Sequence, residues 1–152
     1  MPHNQRIWTM VADAGSACIY SQKLLGGVLT PVEGARFSNP AVHEPSRNLT
    51  SDRLPRSIDS AGSQRHAMEP RVDPHRQTKV VFARQLADYI ERQAEENKYD
   101  KLILVAPPQL LGDLHAALGK HAEKRLTAEI DKDLTKLPLK ELAKHLQPEG
   151  LR

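Results

Sequence analysis

The sequence predicts a single α/β domain with a mixed five-stranded sheet, helices on its faces and one long loop. Three short β-favouring runs, separated by turn residues, fill the first forty positions. A long aperiodic segment follows, and helical and apolar-strand patterns then alternate to the end of the chain. Consecutive short strands favour an antiparallel meander, whereas strand–helix alternation favours parallel crossovers. A chain of 152 residues without an internal repeat fits one domain over residues 1–152.

The three strands of the predicted meander are short runs that end at turn residues. Ile7–Ala12 is apolar and is ended by residues 13–15, Asp-Ala-Gly. Residues 16–21 follow at hairpin distance. Gly26 and Gly27 interrupt the chain again, and a weaker third strand is predicted over residues 28–32.

Residues 34–75 form the predicted long loop. Five prolines lie there among Ser, Asn, Asp and Arg, and neither a strand nor a helix period is sustained. A loop of this length is far above the usual length in a compact domain, so it is expected to be functional or disordered.

Helical patterning begins after the loop. Asp73 and Pro74 are typical of an N-cap and a first helical residue, and the helix should run to about Asn97. Its apolar stripe comprises Phe82, Leu86, Tyr89, Ile90 and Ala94. Residues 101–106 then form a continuous apolar run, which indicates a strand buried on both faces.

Two more helices and a last strand complete the prediction. An amphipathic helix covers residues 110–118 and ends at Gly119. A strand is expected over residues 124–130. Pro138 opens a short helix that Pro148 ends, and its expected buried residues are Leu139, Leu142 and Leu146.

Composition excludes several classes of protein. Hydrophobic residues make up 39% of the chain and charged residues 27%, which is typical of a globular domain. No apolar run reaches the ~18 residues that a membrane helix requires, and the first residues lack the apolar core of a signal peptide. Cys18 is the one cysteine, which excludes an internal disulfide. We therefore expect a cytoplasmic protein without a membrane span.

Five stretches of the chain are distinctive: residues 8–13 (WTMVAD), 59–62 (DSAG), 65–70 (RHAMEP), 104–108 (LVAPP) and 128–135 (AEIDKDLT). Together they resemble a known family, the bacterial host-attachment proteins, which are required for attachment to host cells. The resemblance covers nearly the whole chain. It implies a role in host attachment and supplies no mechanism.

Gly62, Ser63 and Gln64 lie between the predicted meander and the predicted long helix. In this the chain resembles, more distantly, the middle domain of archaeal and eukaryotic peptide-chain release factors. That domain has a ribonuclease H-like or ribosomal-protein-like mixed sheet and carries a Gly-Gly-Gln loop at the corresponding place. The resemblance implies a loop that reaches peptidyl-tRNA or another RNA, with these three residues as candidate catalytic residues. Ser63 resists the positive φ angles that glycine permits, which favours RNA contact over hydrolysis.

Basic residues concentrate around the predicted loop. Residues 43–84 carry 8 of the 22 basic residues, and 7 of those 8 are Arg, whose planar fork suits phosphate. The candidate RNA or partner contacts are Arg47, Arg53, Arg56, Arg65, His66, Arg71 and Arg76. The loop has no aromatic residue after Phe37, so it offers phosphate contact without base stacking.

These features support a non-catalytic binding module that contacts RNA or ribosomal machinery through its Arg-rich loop. One alternative is an enzyme, a peptidyl-tRNA hydrolase or ribosome-rescue factor that uses Gln64. Another is an adaptor that binds a protein partner in adhesion, with the same loop folding on binding. The oligomeric state is left open.

The carboxylates of the chain suggest a metal-dependent nuclease as a further candidate function. Asp13 ends the first predicted strand, and Glu91 or Glu95 on the long helix is a second candidate ligand. The buried strand, however, ends in Ala-Pro-Pro, where a nuclease of that type carries a carboxylate. Asp131 and Asp133 are better explained as turn residues.

Histidine spacing gives no metal site either. His66 and His75 have no cysteine partner and no compact zinc spacing. We place His115, His121 and His145 at helix surfaces or helix ends. The sequence therefore predicts no metal and no cofactor.

Overall fold

The computed structural model describes residues 5–40 and 74–147, with the side chains of residues 74 and 75 left aside. These residues form five strands and four helices in one α/β domain. The strands are β1 (Ile7–Ala12), β2 (Ser16–Gln22), β3 (Thr30–Ser38), β4 (Lys101–Val105) and β5 (Leu126–Ile130). The helices are α1 (Pro74–Glu95), α2 (Pro108–Ala117), α3 (Lys120–Arg125) and α4 (Leu139–His145).

The strands form one mixed sheet in the order β3-β2-β1-β4-β5. β2 pairs antiparallel with both β1 and β3, which is the predicted meander. β4 lies parallel to β1, with Thr9 opposite Ile103, and β5 lies parallel to β4. The predicted mixed five-stranded sheet is confirmed.

Both faces of the sheet are covered, because β1 and β4 alternate their side chains between two apolar clusters. Trp8 and Leu104 lie in the cluster beneath α1, α2 and α3. Val11 and Ile103 lie in the second cluster, which α4 covers through Leu142. Burial on both faces explains the continuous apolar runs of these two strands.

Helix α1 begins at Pro74, as predicted, although the expected N-cap, Asp73, lies outside the described residues. Four residues of its predicted apolar stripe are buried, and Tyr89 packs partly buried against the same cluster. The helix ends at Glu95, and Asn97 then adopts a left-handed conformation with φ 60°. Asparagine tolerates that conformation at a helix end better than most residues.

Three parts of the prediction differ from the structure. β3 extends from Thr30 to Ser38 instead of residues 28–32, so the long loop cannot begin at residue 34. The alternation of buried and exposed residues that usually reveals a strand is interrupted in β3 by Pro31 and by Gly34, which has φ 77°. A register shift against β2 interrupts it as well, so the sequence does not show the full length of the strand.

The other differences concern short helices. Helix α3 was not predicted, and it takes residues assigned to the start of the last strand. Leu139 was expected to be buried, but it is 39% exposed because it opens α4 at the surface. None of the helices in the described ranges is long and apolar enough to cross a membrane.

Candidate functional site

A cleft of about 380 Å³ lies where β1 and β4 end. The two strands are parallel neighbours, but the chain leaves β1 toward β2 and leaves β4 toward α2. Such divergence opens a crevice at the carboxyl ends of the strands, which is the usual ligand site of an open α/β sheet. The polar side chains lining the cleft are those of Asp13, Lys79, Gln109, Asp113 and Asp133.

Asp13 is fixed by hydrogen bonds to both of its carboxylate oxygens. Oδ1 accepts the backbone N–H groups of Gly15 and Ser16, each over 2.8 Å, which forms the turn that leads into β2. Oδ2 accepts the Thr135 hydroxyl over 2.9 Å. Partial burial raises the pKa of Asp13, but these hydrogen bonds outweigh burial and leave the pKa below its usual value. The cleft therefore carries a fixed negative charge at neutral pH.

Thr135 lies between two carboxylates. Its Oγ1 is 2.9 Å from Asp13 Oδ2 and 2.6 Å from Asp133 Oδ1, and its backbone N–H donates to Asp133. The turn role predicted for Asp133 is thus observed. Because a hydroxyl has one proton, Thr135 cannot donate fully to both carboxylates at once.

The start of α1 is tied to α2 across the cleft. The Arg76 guanidinium binds the Asp113 carboxylate through two hydrogen bonds, of 2.6 and 2.7 Å. This two-pronged geometry is the strongest form of an arginine–carboxylate pair. Among the described residues that line the cleft, Lys79 is the one with a cationic side chain.

The end of β3 is fixed at the same edge. The backbone N–H of Asn39 donates to the Gly15 carbonyl over 2.9 Å. Its side-chain amide donates to the Ala14 carbonyl over 3.2 Å and to the Thr78 carbonyl over 3.4 Å. The chain therefore enters residues 41–73 and returns from them at one place, beside the cleft.

A second group of side chains lies farther along α1. Glu91 is twelve residues beyond Lys79, which corresponds to about 18 Å of helix. Its Oε1 accepts the Ala122 N–H over 2.9 Å, and its Oε2 lies 2.6 Å from His121 Nδ1. Glu91 thus caps α3. Burial raises its pKa, but the hydrogen bonds from Ala122 and His121 leave it lower than usual.

The family of the chain follows from a comparison with known families. A family model described as "protein required for attachment to host cells" matches residues 8–146. The chain belongs to this host-attachment family. No curated protein matches it. The match includes the ends of both strands, β1 and β4, that form the cleft. The similarity to the release-factor domain stays a prediction.

Most of the candidate residues of this host-attachment protein lie outside the described residues. These are Arg47, Arg53, Arg56, Gly62, Ser63, Gln64, Arg65, His66 and Arg71. Arg76 lies within them, and the structure pairs it with Asp113. The roles proposed for all ten residues, in catalysis or in RNA contact, stay predictions.

Of the carboxylates proposed for a nuclease, Asp13 lies apart from Glu91 and Glu95. Asp13 lines the cleft, whereas Glu91 and Glu95 meet His121 about 18 Å farther along α1. Sequence reasoning did not connect His121 with these residues, because it did not predict α3. A helical period signal is weak in six residues.

Proposed function

We propose that this host-attachment protein is a non-catalytic binding module that contacts RNA through the Arg-rich residues 47–76. One observation carries the proposal: Asn39, which lies before this segment, and Arg76, at its end, are anchored beside the same cleft. An insertion anchored at one edge of a rigid sheet is a common way to present a binding surface. The family description adds a role in attachment and specifies no ligand.

The negative charge of the cleft favours RNA contact through residues 47–76 over RNA contact inside the cleft. Asp13 is held ionised, and Asp113 neutralises Arg76. A phosphate placed beside Asp13 and Asp133 would meet like charge. The sequence concentrates arginines in residues 47–71, and their fork geometry suits contact with phosphates.

The test measures binding of a labelled single-stranded RNA and of purified ribosomes as a function of salt. The variant carries Arg65→Glu and Arg71→Glu. Arg76 is left unchanged, because a glutamate there would face Asp113 and would disturb the packing of α1 on α2. The matched control carries Arg84→Glu and Arg92→Glu, which change the net charge equally at two exposed positions of α1.

We expect the segment variant to bind RNA at least tenfold more weakly than the control. Each lost phosphate contact should also reduce the slope of log K against log salt by about 0.7, hence about 1.4 for the pair. Equal affinity of the two variants would contradict the proposal. Protein partners that survive ribonuclease in a pull-down, with no RNA binding by the wild type, would favour the adaptor alternative instead.

A further inference from the structure

Three metal-ligating side chains meet between α1 and α3, away from the cleft. Glu91 and Glu95 lie one turn apart on α1, and His121 lies on α3. His121 Nδ1 is 2.6 Å from Glu91 Oε2 and 3.8 Å from Glu95 Oε2. One ligand atom from each residue lies within 4.8 Å of the other two.

The backbone orients the central carboxylate. Glu91 is 18% exposed, its Oε1 accepts the Ala122 N–H, and its Oε2 faces His121. Gly119 leaves room for it, since a Cβ there would lie 2.3 Å from Glu91 Cδ. Carboxylates that bind metals are commonly fixed in this way by a hydrogen bond to the oxygen that does not bind.

Capping explains the position of Glu91 but not that of Glu95. Among the described residues, Glu95 accepts no hydrogen bond from the backbone of α3, yet its carboxylate lies 3.8 Å from the same imidazole. Two carboxylates and one imidazole nitrogen therefore converge on one point that remains open to solvent, because Glu95 is 51% and His121 38% exposed.

We propose that Glu91, Glu95 and His121 bind one Zn²⁺ ion. Metal–ligand distances of about 2.0–2.1 Å in a tetrahedron place the ligand atoms about 3.3 Å apart. The observed separations of 2.6 and 3.8 Å lie on either side of that value. Small rotations of the two exposed side chains complete the site, with Nδ1 as ligand and the imidazole proton at Nε2.

The ligand chemistry favours Zn²⁺ over Mg²⁺ and Ca²⁺. An imidazole with carboxylates suits Zn²⁺, whereas Mg²⁺ and Ca²⁺ prefer oxygen ligands alone. Three protein ligands leave a fourth position for water or an exogenous group. The site departs from the sequence-based prediction of no metal, since His121 joins the two glutamates only through α3.

The test is a calorimetric titration of the full-length protein, free of any affinity tag, with Zn²⁺. We expect one Zn²⁺ per chain in the wild type. Glu95→Gln removes a direct ligand and should weaken binding by at least about 10–100-fold, since losing a residue that only orients a ligand already costs that much. Glu96→Gln is the matched control: it removes the same charge from the adjacent exposed residue and should bind as the wild type does.

The thermal midpoint gives a second readout. Saturating Zn²⁺ should raise it in the wild type and in Glu96→Gln, and much less in Glu95→Gln and His121→Asn. Glu95 is exposed and does not cap α3, so Glu95→Gln should fold as the wild type does. A smaller effect of Zn²⁺ on its thermal midpoint would therefore report lost metal binding and not lost stability. Absence of Zn²⁺ binding by the wild type, or equal affinity of Glu95→Gln and Glu96→Gln, would overturn the proposal.

Discussion

The carboxylate of Glu91 lies so close to Gly119 that no side chain fits between them. A Cβ at position 119 would be 2.3 Å from Cδ and 2.5 Å from Oε1 of Glu91. Gly119 is the N-cap residue of α3 and has no side chain to accept the N–H groups of the first turn. Glu91 accepts those of His121 and Ala122 instead. Gly119 thus makes room for a cap supplied by another helix.

Replacing Gly119 with alanine should therefore destabilise the protein. The new methyl group displaces the Glu91 carboxylate and leaves the buried N–H of Ala122 without its partner, at a cost of about 1–3 kcal/mol. The free energy of unfolding in urea, followed by circular dichroism, measures the effect.

Gly112→Ala is the control for this substitution. Gly112 lies inside α2, and a Cβ there meets no atom within 4 Å. Alanine in a helix interior is favoured over glycine by about 0.5–1 kcal/mol, so this variant should be more stable than the wild type. A loss of stability equal to that of Gly119→Ala would show that the Glu91 contact is not the cause.

The sequence predicted those elements whose burial leaves a periodic or continuous apolar pattern. β1 and β4 are buried on both faces, and α1 buries one stripe that includes Leu86 and Ile90. Helix α3 leaves no such pattern, because a residue of α1 caps it and it buries one alanine, Ala122. Its existence depends on tertiary contacts that no local window contains.

The candidate site was predictable only in part for the same reason. Asp13 follows from its place at the end of an apolar strand. Its partner Thr135 is 122 residues away, and the Arg76–Asp113 pair spans 37 residues. Such contacts depend on how the helices pack on the sheet, which the order of elements does not specify.

The hydrogen bonds of Asp13 predict a specific loss of stability in acid. Its pKa in the folded protein is below the ordinary value of 3.8, so its stabilisation is complete at neutral pH. It is lost as the pH falls from about 3.8 through the lower folded pKa. Asp13→Asn should reduce stability at pH 7 by about 1–2 kcal/mol, and the difference from wild type should shrink below pH 4.

Urea unfolding between pH 7 and pH 3 tests this pH dependence. Asp131→Asn is the matched control, because it removes one charge from an exposed aspartate in the segment after β5. If Asp13→Asn kept the full acid dependence of the wild type, another carboxylate would have to be its source.

The two-pronged Arg76–Asp113 pair should contribute more than a single-contact surface pair. Both of its N–O distances are below 2.8 Å, and the Asp113 side chain is only 16% exposed. A double-mutant cycle with alanine at each position should give a favourable coupling energy that decreases with added salt. The cycle for Lys144 and Glu141, which are 3.5 Å apart and exposed, should give less. Equal coupling in the two cycles would contradict this ranking.

Tyr99 joins the buried cluster to the helix above it. Its hydroxyl donates to the Ile90 carbonyl over 3.0 Å, and its ring stacks on Trp8 with centroids 4.9 Å apart. Tyr99→Phe keeps the ring and removes the hydroxyl, which leaves a buried carbonyl without this donor and should cost about 0.5–1.5 kcal/mol. Trp8 is the one tryptophan of the chain, and its ring stacks on Tyr99, so its fluorescence during urea unfolding measures the loss of unfolding free energy.

Tyr89→Phe is the control for this substitution. The centroid of the Tyr89 ring lies 5.0 Å from that of Phe37, and the variant should change the free energy of unfolding by less than about 0.5 kcal/mol. Wild-type stability in Tyr99→Phe would mean that this buried hydrogen bond makes no net contribution.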